Sequence, residues 1–410
     1  MDTKITPVLL GADLNCYNVA RAFHEQYGVK SYAFGRYAVS ATKYSKIVCF
    51  TAIPDIDSEP VMLDTLSRFA EEHKGETLIL FGCTDDYATL AARCRDRLPQ
   101  YIIPYPDAAL QPLISRKAEF YELCDKYGIP YPETYTVSGV CAPGALTPDT
   151  LGFGYPVIIK PSSSVEYWKH PFDGMKKVYR AENPDRASAI IDEIYASGYS
   201  DRIVIQEYIP GGDSQMRVFT AFSDSRGKVR AMCLGHTMLE EHTPKGLGNH
   251  AAIVTEPVAD FPLAERLRNM LEDLGYTGFS NFDIKQRSGT DDFRVFEINL
   301  RQGRSNYYVT SSGINIARLA AEVYNDSGDS LETCERQFFW HHVPRSVAYR
   351  YTEDRDLAAR AKRLADAGLH SSSVWYPADF RGNPLRFLCA AEQLRRQKKK
   401  FKIYYPKTSE

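Results

Sequence analysis

Apolar and polar positions alternate in two rhythms along the first quarter of the chain. "TPVLLGAD" is a short apolar run ending at Gly11 and Asp13. "NCYNVARAFHEQYG" then sets Val19, Ala22, Phe23 and Tyr27 at helical spacing and stops at Gly28. "KSYAFG", "KIVCFTA", "ETLILFG" and "YIIPYP" are further runs of strand length, with the helical segments "EPVMLDTLSRFAEEHKG" and "DDYATLAARCRDRL" among them. Such alternation predicts a parallel βαβ sheet over residues 1–110. Ligands of these sheets lie at the strands' carboxyl ends, here "GADLN" (Gly11 to Asn15) and "GCTDD" (Gly82 to Asp86). Neither contains GxGxxG, so a dinucleotide site is not expected. Asp13, Asp85 and Asp86 are either substrate contacts or helix N-caps.

Beyond residue 110 the pattern is mixed α+β. The helix "ISRKAEFYELCDKYG" leads to "IPYPETYTV"; then come the strand "YPVIIK", the helix "NPDRASAIIDEIYASG" and the strand "DRIVIQEYIPGGDSQMRVFTAF". "KVRAMCLGHTM" and "NHAAIVTE" follow, then the helix "DFPLAERLRNMLEDLG". Next, "NFDIK" and "FRVFEIN" flank the polar turn "RSGTDD" and predict a β-hairpin. Glu297 and Asn299 share one strand face; Phe296, Ile298 and Leu300 share the other. Asp283 falls roughly opposite Glu297. Like charges across strands are destabilising, and a bound cation reverses that sign. Three oxygen donors on one face suit Mg²⁺; a solvated acidic face is the equal alternative on this stretch alone. After about residue 332, "FFWHHVPRSVAYRY", "RDLAARAKRLADAG" and "KKKFKIYYPK" predict a small appendage.

Composition narrows the class. The 410 residues suffice for two or three domains, and 44% hydrophobic with 25% charged content is globular. A net charge of −2 gives no reason to expect nucleic acid. The one strong basic run, "RRQKKKFK", is local: a solvated helix end, or else a contact for anionic lipid or nucleotide. Nine scattered cysteines without a CxxC pair oppose both a disulfide framework and a zinc site, and fit a reducing cytoplasm. "MDTKITPVLL" is too short an apolar run for a signal peptide, and no segment has the length of a membrane span. A soluble cytoplasmic protein is expected.

Individual residues carry the chemistry. Lys160 ends "YPVIIK", where burying a lysine is costly unless it meets an anion; the alternative is a lysine snorkelling out of the strand end. Ser162, Ser163 and Ser164 follow in a loop able to close over phosphates. Lys117 in "SRKAEF", taken alone, is an ordinary surface lysine. "IVIQEYIPGGDSQ" offers a strand edge for an adenine and the acids Glu207 and Asp213 for ribose hydroxyls, or simply a strand entering a turn.

The order of these parts is more specific than any one of them. A helix lysine, a strand-end lysine with a small-residue loop, a "QEYIPG" hinge and an acid followed by "ExN" on the next strand resemble the ATP-grasp superfamily of carboxylate–amine ligases. The resemblance covers residues 1–330. It implies a Rossmann-like parallel-sheet domain (1–110), a two-subdomain ATP-grasp domain (111–330, split as 111–205 and 206–330) and a small C-terminal region (331–410): α/β followed by α+β. It implies ATP held by Lys117, Lys160, Ser162, Ser163 and Ser164 at the phosphates, Gln206, Glu207, Tyr208 and Ile209 at the adenine, and Asp213 at the ribose. Asp283, Glu297 and Asn299 are then ligands of two Mg²⁺ ions, with Mn²⁺ as a substitute. Where relatives have Asn-Pro-Arg, this chain has "NLR", so Arg301 keeps the role of stabilising the transferring phosphoryl or acyl phosphate. More narrowly, "LLGADLNCYNVARAFHEQYGVKS" and "EINLRQGRSNYYV" look like the D-aspartate ligase branch. That branch implies activation of a β-carboxylate and attack by the lysine amine of a UDP-linked muramyl pentapeptide. Asp13, Arg217, Lys245, Gly248, Arg304 and Ser305 are the substrate candidates, Arg217 equally a structural strand arginine. The partners are a small carboxylate and an amine acceptor, without nucleic acid or membrane span, and a homodimer is compatible. The rival readings are a ligase of free amino acids and a non-catalytic ATP-binding regulator. The intact Asp283, Glu297, Asn299 and Arg301 set speaks against the last.

Overall fold

The computed structural model describes residues 3–142, 144–244 and 246–405, with the side chains of all but Ser164 and Val165. They form two compact units. Unit 1 comprises residues 1–108, 212–282 and 299–410, and unit 2 residues 109–211 and 283–298. The chain therefore passes from one unit to the other four times. This division differs from the three consecutive parts expected from sequence.

Five parallel strands open unit 1: β1 (Ile5–Leu10), β2 (Ser31–Gly35), β3 (Val48–Ala52), β4 (Thr77–Gly82) and β5 (Tyr101–Ile102), in the order β3-β2-β1-β4-β5. The order reverses between β1 and β4, so both stretches flagged in the sequence lie at the switch point, where such sheets hold ligands. The helix Leu14–Tyr27 starts on the N-cap Asp13, whose side chain accepts from Cys16 N, and ends on Gly28 in the left-handed region. Gly82 permits a close approach: a Cβ there would lie 2.3 Å from Ala88 N, in the helix Asp85–Arg93. Val8, Leu10, Leu66, Leu80 and Ala91 form the fully buried or nearly buried core on one side of the sheet.

Unit 2 contains β6 (Thr134–Val137), β7 (Val157–Pro161), β8 (Tyr179–Ala181) and β9 (Ile203–Glu207), an antiparallel sheet in the order β6-β9-β7-β8. The helix Pro184–Ala196 buries Ala187, Ile190, Ile191 and Ile194 in a core with Val157, Ile159 and Ile205. The remaining sheet contains β10 (Met216–Ser223), β11 (Val229–Glu240), β12 (His250–Glu256), β13 (Gly278–Gln286), β14 (Phe293–Asn299), β15 (Glu332–Thr333), β16 (Phe339–His341) and β17 (His370–Ser372). Its order is β14-β13-β10-β11-β12-β16-β17, with β15 beside β11. The expected appendage thus supplies strands: β16 pairs with β12, and β17 with β16. Among the described residues no helix is long and apolar enough to cross a membrane.

The C-terminal segment is also fastened by a buried ion pair. Asp379 Oδ2 lies 2.8 Å from Arg386 Nε, with side-chain exposures of 0% and 1%. Asp379 also accepts from Tyr17 Oη, Ser45 Oγ and Lys46 N. Removing one member of such a pair leaves the other charge buried and uncompensated, at a cost of about 3–5 kcal/mol. Asp379→Ala is therefore expected to lower unfolding stability by that amount, read by denaturant titration. A loss below about 1 kcal/mol would show the pair to be dispensable.

Candidate active site

Lys117 is the first residue of the helix Lys117–Tyr127, whose N-cap Arg116 provides no side-chain cap. Ser162, just past β7, supplies one: its Oγ accepts from Ala118 N (3.2 Å) and its carbonyl from Lys117 N (3.3 Å). Contrary to its surface reading, Lys117 is 7% exposed. Its Nζ lies 3.4 Å from Glu297 Oε2. Lys160 is half-buried at the end of β7, its Nζ 5.0 Å from the centroid of the Phe296 ring. Burial pushes the Lys160 ammonium down to about 8; Glu297 and Asp283 pull it up, and Lys117 and Lys177 push it further down. Burial would raise Glu297, but Lys117, Lys177 and Lys160 together hold it well below the usual carboxylate range. Asp283 and Glu297 thus both act on Lys160. The predicted alternation of "FRVFEIN" does not hold throughout: Val295 and Ile298 are its buried positions, three apart, which a regular strand does not give.

The predicted adenine edge needs correction. β9 is an inner strand, pairing β6 on one side and β7 on the other through Gln206, and Glu207 N donates to Glu133 O (3.0 Å). The Gln206 amide donates to Thr134 Oγ1 (3.0 Å), and Glu207 accepts two 2.6 Å bonds from Arg287 Nη2. Tyr208 and Ile209 are the first residues past the strand. Ile209 is buried, and the Arg180 guanidinium lies 4.6 Å from the centroid of the Tyr208 ring. Ser162 is fully buried in its capping role. Ser163 Oγ accepts from Glu166 N at 3.2 Å. Ser164 opens the short helix Ser164–Tyr167, its side chain outside the described set.

In unit 1 the loop after β14 is stitched to the switch point of the parallel sheet. Asn15 Nδ2 donates to Cys83 O (3.0 Å) and, at 3.4 Å, to Gln302 O. Asn306 Nδ2 donates to Asn15 Oδ1 at 2.5 Å, and Gln302 Nε2 to Gly82 O at 3.2 Å. Arg301 lies on this loop. Its Nε is 2.7 Å from Asp85 Oδ1 and its Nη2 donates to Asp85 Oδ2 at 3.1 Å. The N-cap beside that helix is Thr84, which leaves Asp85 for Arg301. Asp13 is raised by burial, against its helix-capping bond and the charges of Arg304 and Arg301. Arg304 Nη1 is 3.1 Å from Glu241 Oε1, which also lies 2.8 Å from His342 Nε2. Ser305 is buried. Asn299 Nδ2 donates to Asn281 O at 3.5 Å. Gly248 lies in the β11–β12 turn with φ +82°, and Lys245 lies outside the described residues. Asp213 accepts from Glu240 N (2.8 Å) and pairs with His242 Nε2 (3.0 Å). Among the described residues no three His, Cys, Asp or Glu gather as a metal group; the predicted magnesium set has two carboxylates and one amide.

Arg217 lies in an ion-pair network on β10. It is buried, with Nε 3.1 Å from Glu256 Oε2, and Glu256 also meets His236 (2.9 Å) and Arg360 (3.0 Å). Burial opposes ionisation of Glu256, but these three partners lower it to about 2. A carboxyl whose folded pKa lies below its unfolded value of about 4.3 gives stability that is present above that value and lost as pH falls through the folded pKa. Glu256→Gln is therefore expected to lower stability by about 3 kcal/mol at pH 7. The gap to the parent protein should narrow as pH falls from about 4 towards 2. A pH-independent gap in urea titrations would refute the ionic account.

The sequence reading missed Lys177, the third cation acting on Glu297, and the amides of Asn15, Gln302 and Asn306. It also missed Glu241 and left His342 unassigned. Lys177 had a signal in the pair "KK" just before β8; the others had none within their own segments.

No family model matches the sequence. The chain is 36% identical over 386 residues to the D-aspartate ligase of Enterococcus faecium (strain Aus0004), spanning 92% of this chain and 91% of that protein. Among solved structures, the L-amino acid ligase from Bacillus licheniformis matches with TM-score 0.53 and 13% identity, over 79% of this chain and 75% of that one. The biotin carboxylase domain of 2-oxoglutarate carboxylase from Hydrogenobacter thermophilus, a dimer in complex with MgADP, ADP and bicarbonate, matches with TM-score 0.59 and 14% identity, over 80% and 71%. Fold and sequence together define an ATP-dependent carboxylate–amine ligase of the ATP-grasp type, an enzyme that forms C–N bonds. Within that class, the chain belongs to the D-aspartate ligase family.

Proposed function

We propose that this enzyme joins the β-carboxylate of D-aspartate to the lysine side-chain amine of a UDP-linked muramyl pentapeptide. The observation that carries the reading is the charge set Lys117, Lys160, Lys177, Asp283 and Glu297, on a chain similar along nine-tenths of its length to a D-aspartate ligase. In the first step a carboxylate oxygen attacks the γ-phosphorus of ATP and ADP leaves. In the second the amine nitrogen attacks the acyl carbon, phosphate leaves and the nitrogen loses a proton. Lys117 and Lys160 bind the phosphates, and burial makes Lys160 favour an anionic partner. The adenine lies on Tyr208 and Ile209. A ribose contact by Asp213 requires its bond with His242 to be shared or opened. The hard oxygen donors Asp283, Glu297 and Asn299 fit Mg²⁺, two ions in our reading, with Mn²⁺ able to substitute. When bound, the metal supplies charge neutralisation and orientation of the phosphates. Arg301 is assigned to stabilise the transferring group and Arg304 to bind a substrate carboxylate. Water must be kept out, since an acyl phosphate hydrolyses.

The test is phosphate release from Mg·ATP across D- and L-amino acids, with and without the UDP-linked pentapeptide, and product mass. Release that requires both D-aspartate and the pentapeptide is expected. Release with two free amino acids and no pentapeptide would move the enzyme to dipeptide synthesis.

A further inference from the structure

The C-terminal helix Pro384–Tyr404 has one face built into unit 1 and one face in solvent. Arg386, Ala390, Gln397 and Phe401 are its buried positions. At 100° per residue, the opposite stripe is Leu385, Leu388, Glu392, Arg395, Lys399, Lys402 and Ile403, with Arg396 at its border. Leu385 is 55% exposed and Leu388 60%. Beside them Trp375 and Phe387 are also exposed, their ring centroids 5.2 Å apart. Six of the eight residues from Arg395 to Lys402 are cations, all exposed. One acid, Glu392, serves both Arg395 and Arg396. The loop carrying Lys43 and Tyr44 adjoins the helix start, where Asn383 Nδ2 donates to Tyr44 O at 2.7 Å. Large exposed apolar side chains and a cationic surplus therefore share one surface, on a chain whose net charge is −2.

We propose that this helix face docks the enzyme onto an anionic lipid surface, lying in the plane of the headgroups. The chemistry of the patch selects that occupant. A helix surface with exposed leucine and aromatic side chains at its start and cations at its end matches both attractions of an anionic bilayer: charge at the headgroups and an apolar layer just beneath. A second copy of the chain meeting this face about a two-fold axis would bring the same cationic stripe against itself. A nucleic-acid backbone would satisfy the cations and leave Leu385 and Leu388 in water. The inference does not depend on which amino acid or amine the enzyme joins.

The experiment is co-sedimentation of the full chain with phosphatidylcholine vesicles and with vesicles containing phosphatidylglycerol. At low salt, binding to the anionic vesicles should be about tenfold stronger than to the neutral ones and disappear at high salt. The triple variant Lys398→Gln, Lys399→Gln, Lys402→Gln and the double variant Leu385→Ser, Leu388→Ser should each lose it, while ATP-dependent phosphate release in solution and the melting temperature stay at parent values. No binding to anionic vesicles at low salt overturns the proposal, as does binding that both variants retain. So does a dimer, seen by light scattering, that the double leucine variant dissociates without any vesicle binding. Tighter binding to mixed-sequence RNA than to anionic vesicles, unaffected by loss of the leucines, would assign the patch to nucleic acid instead.

Discussion

Glu297→Gln is expected to abolish turnover, lowering kcat by about 10³-fold or more, while the protein stays folded. Glu297 is the carboxylate on which Lys117, Lys160 and Lys177 converge, at 3.4 Å from Lys117 Nζ. As a proposed metal ligand it places the cation that neutralises the moving phosphoryl group, and phosphoryl transfer depends almost wholly on such positioning and charge. The glutamine keeps the shape and removes the charge. Metal affinity should fall, whereas metal-free ATP should bind as well as before or better, because one negative charge has left a lysine cluster. Buried Lys117 loses its partner, so the melting temperature should drop by several degrees without loss of cooperativity. Isothermal titration with ATP, with and without Mg²⁺, separates these effects from turnover. Unchanged phosphate release in the variant would remove Glu297 from the metal site.

Arg301→Ala should lower kcat by about 10²–10³-fold and leave KM for ATP nearly unchanged. The Arg301 side chain is 15% exposed, its Nη2 donates to Asp85 Oδ2 (3.1 Å) and its Nη1 to Gln302 O (3.0 Å), so its direction is set before a substrate arrives. Arg301→Lys should recover little, because an ammonium cannot reproduce a planar two-pronged donor. Asp85 is 69% exposed, and its pair with Arg301 contributes at most about 1 kcal/mol to stability. Asp85→Asn therefore tests positioning alone, and should cost far less activity than loss of the arginine. Rescue of kcat by Arg301→Lys, or a large rise in KM for ATP, would refute a role in the transition state.

The parallel sheet was legible because each strand is a short apolar run closed by its own turn signal, as in "ETLILFG" for β4. The hairpin was legible for the same reason: "RSGTDD" separates β13 from β14. What stayed hidden depends on partners far along the chain. Lys117 looks like a surface lysine until Glu297, 180 positions later, is placed beside it. Nothing in "IVIQEYIPGG" says that β6 and β7 flank β9 on both sides, so its ladder groups were taken as available. Glu241 and His342 meet across 101 positions and left no local trace. Arg217 packs against Glu256, a partner 39 positions further on that the strand pattern alone did not reveal.

The fourfold passage between units bears on the order in which the molecule is assembled during synthesis. Unit 2 is written in two pieces, 109–211 and 283–298, with 71 residues of the other unit between them. Its first piece emerges from the ribosome before the hairpin that answers it: Tyr121 Oη waits for Phe296 O, Glu207 for Arg287, and Pro130 O for Val295 N. A nascent chain halted after residue 211 would hold the β6–β9 sheet but none of these closures. Unit 1 waits longer still, since β16 and β17 arrive only by residue 372. Unit 1 is thus begun first and finished last, with unit 2 completed at residue 298 in between, so folding during translation is expected to be nested instead of one domain after another.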